Sequence, residues 1–243
     1  MSLADSQQHR DLHEGNLCIR QTGTPRAKDP SSPLHYGYSG LEITILDYGL
    51  SRAEDVSTER GAPVAFDLER DLSIFTSTHA PQCKVYRQMR SFLLEGDRVH
   101  LPPERHRTPY EEGPDGPVSW REYNPYSNVL WLAYLYEYLT GNFQGEKKEL
   151  ARFRRTTAEF WSHLSPDAPP EVLSFPSATQ VIAYAVEADW LSEAQLSGHK
   201  DSLCCSEAPD ESCNESIIEA CIIERDEAEL RRSPRRPRPR VLY

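Results

Sequence analysis

Three residues near the start of the chain have the types and spacing to handle phosphate. In "HRDLHEGN" (9–16), the carboxylate of Asp11 is followed five residues later by the amide of Asn16, and in "ITILDYGLSR" (43–52) a second carboxylate, Asp47, precedes an aromatic and a glycine. Phosphoryl transfer asks a protein for positioning and charge neutralisation more than for covalent work. One carboxylate must accept or orient the proton of the attacking hydroxyl. A small hard cation such as Mg²⁺ needs oxygen ligands, and a carboxylate with an amide oxygen supplies them. Asp11 fits the first role, and Asn16 with Asp47 the second.

Those side chains need rigid supports. "LCIR" (17–20) and "LEITILDYG" (41–49) read as short strands, the second alternating Ile43 and Ile45 with polar neighbours up to Asp47. The Gly-, Pro- and Ser-rich stretch between them predicts a loop or hairpin extension, so the pair makes a small ribbon. Residues 51–75 are polar with little periodicity. In "KVYRQMRSFLLEG" (84–96), Val85, Met89, Phe92 and Leu93 recur at helical spacing and Gly96 supplies a stop. Residues 97–118 are rich in Pro and charge and predict a surface insertion, which makes His100 and His106 solvated histidines. "NPYSNVLWLAYLYEYLTG" (124–141) predicts a helix capped by Ser127 and apolar around nearly its whole circumference, hence buried, with Trp131 and the tyrosines at 134, 136 and 138 as core and helix surface. "KKELARFRRTTAEFWSHL" (147–164) reads as one amphipathic helix with Leu150, Phe153, Thr157, Phe160, Trp161 and Leu164 on one side. "SATQVIAYAVEADWL" (177–191) reads as another, capped by Ser177, with Val181, Ile182, Ala185 and Trp190 inward. The fold class is therefore mainly α with a small β ribbon.

Charge divides the chain. Of its 243 residues, 201–230 hold ten acids and one base, 231–240 hold six Arg and no acid, and 1–200 keep 28 acids and 20 bases, a net of −8. Low hydropathy and acid content make 197–243 disordered by composition, and its prolines exclude a helix in "RRSPRRPRPR". That Arg run is a nuclear-import or nucleic-acid patch, or a solubilising tail. No apolar run reaches the length of a membrane span, and the start lacks the apolar stretch of a signal peptide. The six cysteines lack a CxxC pair, so free thiols in a reducing nuclear or cytoplasmic compartment are expected, not a zinc site.

With these elements in place, the motifs carry a resemblance. "HRDLHEGN", with His13 where most protein kinases have Lys, and "ITILDYGLSR", with Tyr48 where most have Phe, resemble the haspin-type kinases, an atypical family that phosphorylates the tail of a core histone. Gly49 follows the ordinary kinase pattern, whereas animal haspins usually have Thr. "LSIF" (72–75), "VYRQM" (85–89) and "REYNPYSNVLWLAYL" (121–135) are similar to haspin segments in the same order, so the resemblance covers about residues 2 to 190. It implies the C-terminal lobe of a kinase over 1–196, with the insertion 97–118, followed by the tail 197–243. It implies Asp11 as catalytic base, His13 near the transferring phosphate, Asn16 and Asp47 as metal ligands, ATP and Mg²⁺ as cofactors, and a protein substrate such as a histone or another chromatin protein. Arg10, in ordinary kinases, answers a phosphorylated activation loop. Haspins lack the usual activation segment with its Ala-Pro-Glu ending, and no such triplet follows Asp47 here.

Two departures lower the activity expected. Eight residues precede His9, too few for a Gly-rich loop, a strand Lys and its helix Glu, so an N-terminal lobe is expected to be absent and nucleotide to be held from one side only. In "PQCKVYRQM" the family has a buried acid beneath the catalytic loop where Lys84 stands, and a lone buried ammonium is costly. The expectation is a haspin-type protein serine/threonine kinase impaired in catalysis; the alternatives are a pseudokinase-type binding module and a decaying gene fragment. A lobe face left uncovered would favour self-association.

Overall fold

The computed structural model describes residues 7–27, 29–32, 37–54 and 62–192. Strands β1 (Leu17–Gln21) and β2 (Leu41–Ile45) form an antiparallel ribbon, β3 (Arg52–Ala53) pairs with β4 (Val64–Ala65), and β5 (Glu112–Gly113) pairs with β6 (Gly116–Pro117). The helices are α1 (Ser73–Thr76), α2 (Gln82–Glu95), α3 (Tyr126–Gly141), α4 (Lys147–Thr156), α5 (Ala158–Leu164) and α6 (Ala178–Glu187). The chain divides into a unit of residues 1–199 and a unit of residues 200–243. The second lies wholly outside the described residues, and so does the reading of 197–243.

The core forms where α2 meets α3. Val85 and Met89 of α2 pack against Val129, Leu130 and Trp131 of α3, all buried, as the helical spacing predicts; Tyr86 joins them, while Phe92 and Leu93 are only partly buried. The Tyr86 ring meets the Trp131 ring edge-on at 5.4 Å, and Phe92 meets Tyr126 at 4.7 Å. Gly96 ends α2 with φ +107°, a region open to glycine at no steric cost, and its N–H closes on the Phe92 carbonyl. The α3 helix is buried through most of its length, yet Leu139 near its end is 58% exposed.

Several expectations are corrected. Ser127 is not the cap of α3: Pro125 occupies that position, and the Ser127 hydroxyl donates to the Asn124 carbonyl at 2.9 Å. Ser177 does cap α6, accepting from the Gln180 N–H, whereas Ile182 faces outward. The stretch 147–164 is two helices, not one. They meet at Thr157 (φ −99°, ψ +11°), whose buried hydroxyl accepts from the Tyr136 hydroxyl at 2.6 Å and donates to the Phe153 carbonyl at 2.9 Å. The polar stretch 51–75 contributes Leu68 and Phe75 to the core, invisible to periodicity because they lie on turns too short to show one.

The segment 97–118 is more than a surface insertion. His106 is fully buried, as is Val118, and Trp120 follows just beyond. They enclose an ion pair between Glu69 and Arg90, both fully buried, with Arg90 Nε 2.9 Å from Glu69 Oε1 and an Arg90 terminal nitrogen 3.0 Å from Glu69 Oε2. The Glu69 carboxylate also accepts from Trp120 Nε1 at 3.1 Å and from the Tyr110 N–H at 2.8 Å. Arg90 donates to the Thr108 carbonyl and to His106 Nδ1, and its guanidinium lies over the Phe75 ring. Burial pushes the His106 pKa down, and Arg90 beside it adds to that, so the ring stays neutral and accepts. Every lone pair in this network has a donor, which is the condition under which a buried pair is tolerated.

Removing one partner leaves an uncompensated buried charge. Glu69→Ala is expected to cost about 3–5 kcal/mol in urea unfolding, and the double change Glu69→Leu with Arg90→Met much less than twice that.

Candidate active site

Asp11 sits in a loop pinned at both ends. On the entry side Gln8 exchanges two backbone hydrogen bonds with Arg52, each 2.9 Å, and on the exit side residues Glu14–Asn16 make one turn of 3-10 helix into β1. The loop turns at Arg10, whose φ is +64°. A non-glycine residue holds that conformation only when its surroundings fix it. Here the guanidinium does so: it is buried and donates to the Trp120 carbonyl at 2.6 Å, to Gln8 Oε1 at 2.7 Å and to the Phe66 carbonyl. Burial, and then Arg52, push the Arg10 pKa down to about 10, which leaves it charged at neutral pH.

His9 and Asn128 tie the loop to the rest of the site. His9 Nε2 donates to the Leu46 carbonyl at 2.8 Å, directly before Asp47, and the His9 ring lies 4.9 Å from that of Tyr48. That bond places a ring proton on Nε2, while the buried Nδ1 has no hydrogen-bond partner among the described residues. Asn128 of α3 reads the loop backbone twice, accepting from the His9 N–H at 3.3 Å and donating to the Gln7 carbonyl at 3.0 Å. Ser51 adds a hydroxyl bond to the His9 carbonyl.

The acidic centre is built on this frame. The Asp11 side chain is 15% exposed and accepts a hydrogen bond from the Tyr86 hydroxyl of α2. Burial raises the Asp11 pKa above the ordinary carboxylate range and Asp47 adds to the rise, while the Tyr86 hydrogen bond, His13 and His9 oppose it. Tyr86 is in turn held protonated, its pKa driven up by burial and by the Asp11 charge. His13 Nε2 lies 3.7 Å from Asp11 Oδ1, and His13 Nδ1 accepts from the Gly15 N–H at 3.0 Å. A Cβ on Gly15 would stand 2.8 Å from the His13 ring, so this position must be glycine for His13 to fold back.

Asn16 donates through Nδ2 to the Asp11 carbonyl at 2.8 Å, which turns the amide oxygen away as a free acceptor. The Asn16 carbonyl accepts from the Leu46 N–H at 2.8 Å, so Asn16 and Asp47 flank the same end of the β1–β2 ribbon. Asp47 has φ +54° and is exposed; Oδ1 accepts from the Gly49 N–H at 3.1 Å, leaving Oδ2 open. One amide oxygen and one open carboxylate suit a Mg²⁺ whose other ligands are phosphate oxygens and water. They do not suit a closed protein cage, and no group of three or more His, Cys, Asp or Glu capable of holding a metal occurs among the described residues.

The structure thus gathers Asp11, His13, Asn16 and Asp47 at one end of the ribbon and sets Arg10 behind them. Lys84 is corrected. It is exposed on the first turn of α2 and pairs with Asp167 at 2.8 Å, so no ammonium lies buried under the loop. Asn128, Tyr86 and Gln8 support the loop instead. Of these, Asn128 had a sequence signal as a polar residue in an otherwise apolar helix; Tyr86 and Gln8 had none beyond position.

A helical body with an antiparallel ribbon carrying the two motifs at its end is an arrangement of the protein-kinase class. A family model described as "Haspin like kinase domain" matches residues 6–180, and the chain belongs to this family of haspin-like kinases. It is 29% identical over 181 residues to the "Serine/threonine-protein kinase haspin" of Mus musculus and 29% identical over 185 residues to that of Bos taurus, in each case 72% of this chain and 19% of the relative. It is 31% identical over 130 residues to the "Serine/threonine-protein kinase haspin homolog" of Drosophila melanogaster, 53% of this chain and 18% of the relative. The chain therefore spans about a fifth of the length of these curated relatives. No solved structure matches it.

Two outcomes test the site. Because the Asp11 pKa is raised on folding, its charge costs stability above that pKa. Asp11→Asn should raise the thermal midpoint at neutral pH, and the gain should shrink as pH falls through the folded pKa and vanish below the unfolded one. Tyr86→Phe removes a donor to the carboxylate and should move the Asp11 titration, followed by carboxyl NMR shifts, to higher pH still.

Proposed function

We propose that this chain is a haspin-type protein serine/threonine kinase, transferring the γ-phosphoryl group of ATP to a protein hydroxyl, with a histone tail or another chromatin protein as substrate. The observation that carries the reading is the placement of Asp11: a half-buried carboxylate, tuned by the Tyr86 hydroxyl, at the loop end next to Asn16 and Asp47.

In this reading, Asp11 accepts the proton of the attacking serine or threonine hydroxyl as its oxygen bonds to phosphorus and the bond to ADP breaks. Its raised pKa brings it nearer the working pH, which favours a general base. His13, with Nδ1 fixed on the Gly15 N–H, presents its Nε2 edge beside Asp11 toward the transferring group. Asn16 Oδ1 and the Asp47 carboxylate would hold Mg²⁺, which neutralises nucleotide phosphate charge when bound. Arg10 is a positioning residue: its carbonyl and amide partners set the backbone turn that places Asp11. This work needs no phosphorylated loop, since protein acceptors already engage the guanidinium. The exposed position of Lys84 also removes one ground for reading the chain as a degenerate kinase.

Radiolabelled ATP, Mg²⁺ and a histone tail peptide test the proposal. Phosphate incorporation should fall by about 10²-fold or more in Asp11→Asn, and comparably in Asp47→Ala. Incorporation that is absent in the parent chain, or indifferent to both changes, would overturn it.

A further inference from the structure

A second surface, unconnected with phosphate transfer, stands out by charge. The body of residues 1–200 carries a net charge of −8, yet α4 reads "KKELARFRRT", five cations and one acid. No residue of α4 is buried. No acid among the described residues pairs with Lys147, Lys148, Arg152 or Arg155, while Arg154 reaches the Thr140 carbonyl at 3.4 Å. Lys148, Arg152 and Arg155 stand at i, i+4 and i+7 and form one row about 10 Å long on the helix surface.

The row borders a groove. Between the end of α3 and α4 lies a cleft of about 580 Å³ walled by Leu139, Phe143, Leu150 and Phe153, with Glu149 and Arg152 on its rim. Leu139 is 58% exposed and Phe143 44%, with Phe153 beside them at 38%. Phe153 is fixed by stacking on Tyr136, with 5.9 Å between centroids. Phe143 folds back over Gly145, where any Cβ would collide with its ring.

We propose that this groove and the cationic row of α4 dock an acidic, extended peptide segment of a partner protein, with one apolar side chain inserted between Leu139 and Phe153. Alternate residues of an extended peptide lie about 6.6 Å apart, close to the rise of about 6 Å between Lys148 and Arg152, so carboxylates on one edge can follow the row. The groove separates this partner from other polyanions. A nucleic-acid backbone meets the cations but has no apolar side chain for the cleft. A bilayer needs an apolar helix side laid flat on its surface, whereas Leu139, Phe143, Leu150 and Phe153 wall a concave cleft. An acidic peptide with an aliphatic or aromatic anchor uses both features.

Fluorescence polarisation on the full chain tests this. The probe is a labelled peptide of alternating Asp and Glu residues interrupted by a central Leu-Phe pair. It should bind, and an otherwise identical peptide with Ser-Ser in place of Leu-Phe should bind at least about tenfold more weakly. Leu139→Glu, which fills the mouth with an anion, and the pair Arg152→Glu with Arg155→Glu should each weaken binding by about tenfold or more, with unchanged thermal midpoints because these side chains are exposed. Equal binding of the two peptides, indifference to both variants, or tighter binding of duplex DNA or phosphatidylserine vesicles through the same arginines would overturn the proposal.

Discussion

The fully buried pair of Glu69 and Arg90 is the constraint on which the site depends. A carboxylate and a guanidinium removed from water tolerate almost no misplacement, because each lost hydrogen bond leaves a bare charge in a poor dielectric. The pair fixes α2 in register, since Arg90 stands one helical turn beyond Tyr86, and Tyr86 is the donor to Asp11. Trp120 extends the constraint to the other side of the loop. Its indole N–H bonds the Glu69 carboxylate, and its backbone carbonyl receives Arg10. One ion pair thus sets both the hydroxyl that tunes the acidic residue and the acceptor that shapes its loop.

The electrostatics of the site follow from depth. Asp11 is buried enough for desolvation to dominate its pKa, whereas Asp47, at the exposed end of the same ribbon, keeps one oxygen open to solvent. Two carboxylates in different surroundings can divide a proton-accepting role from a metal-binding one. The histidines keep distinct duties through the partners of their ring nitrogens: His9 donates from Nε2 to the Leu46 carbonyl before Asp47, and His13 accepts at Nδ1 from the Gly15 N–H. The ribbon meanwhile presents Ile19, Leu41, Ile43 and Ile45 outward; Ile19 pairs directly with Ile43 and Leu17 with Ile45, so that face is apolar except for Gln21 opposite Leu41.

Legibility followed periodicity. Helices α2, α3 and α6 were visible because a repeat of apolar residues over ten or more positions survives any detail of packing. The ribbon was visible because Ile43 and Ile45 alternate up to Asp47. What periodicity could not carry was lost: the division of 147–164 falls at Thr157, which lies inside the apolar repeat, and Leu68 and Phe75 sit on turns with no repeat. His106 looked solvated because its neighbours are charged and Pro-rich, yet those neighbours face outward while its ring closes over Arg90.

By itself, the sequence determined the family, the order of the elements and the residues able to handle phosphate, because side-chain type and spacing along the chain are local properties. Only the tertiary structure decided what supports them. It turned Lys84 outward to Asp167, drew Tyr86 and Asn128 under the loop, and buried Arg10 among carbonyls. Those outcomes depend on contacts across 56 to 121 positions of sequence, from Arg10 at the Phe66 carbonyl to Asn128 at the Gln7 carbonyl. No local pattern encodes the direction in which a polar side chain will find its partner.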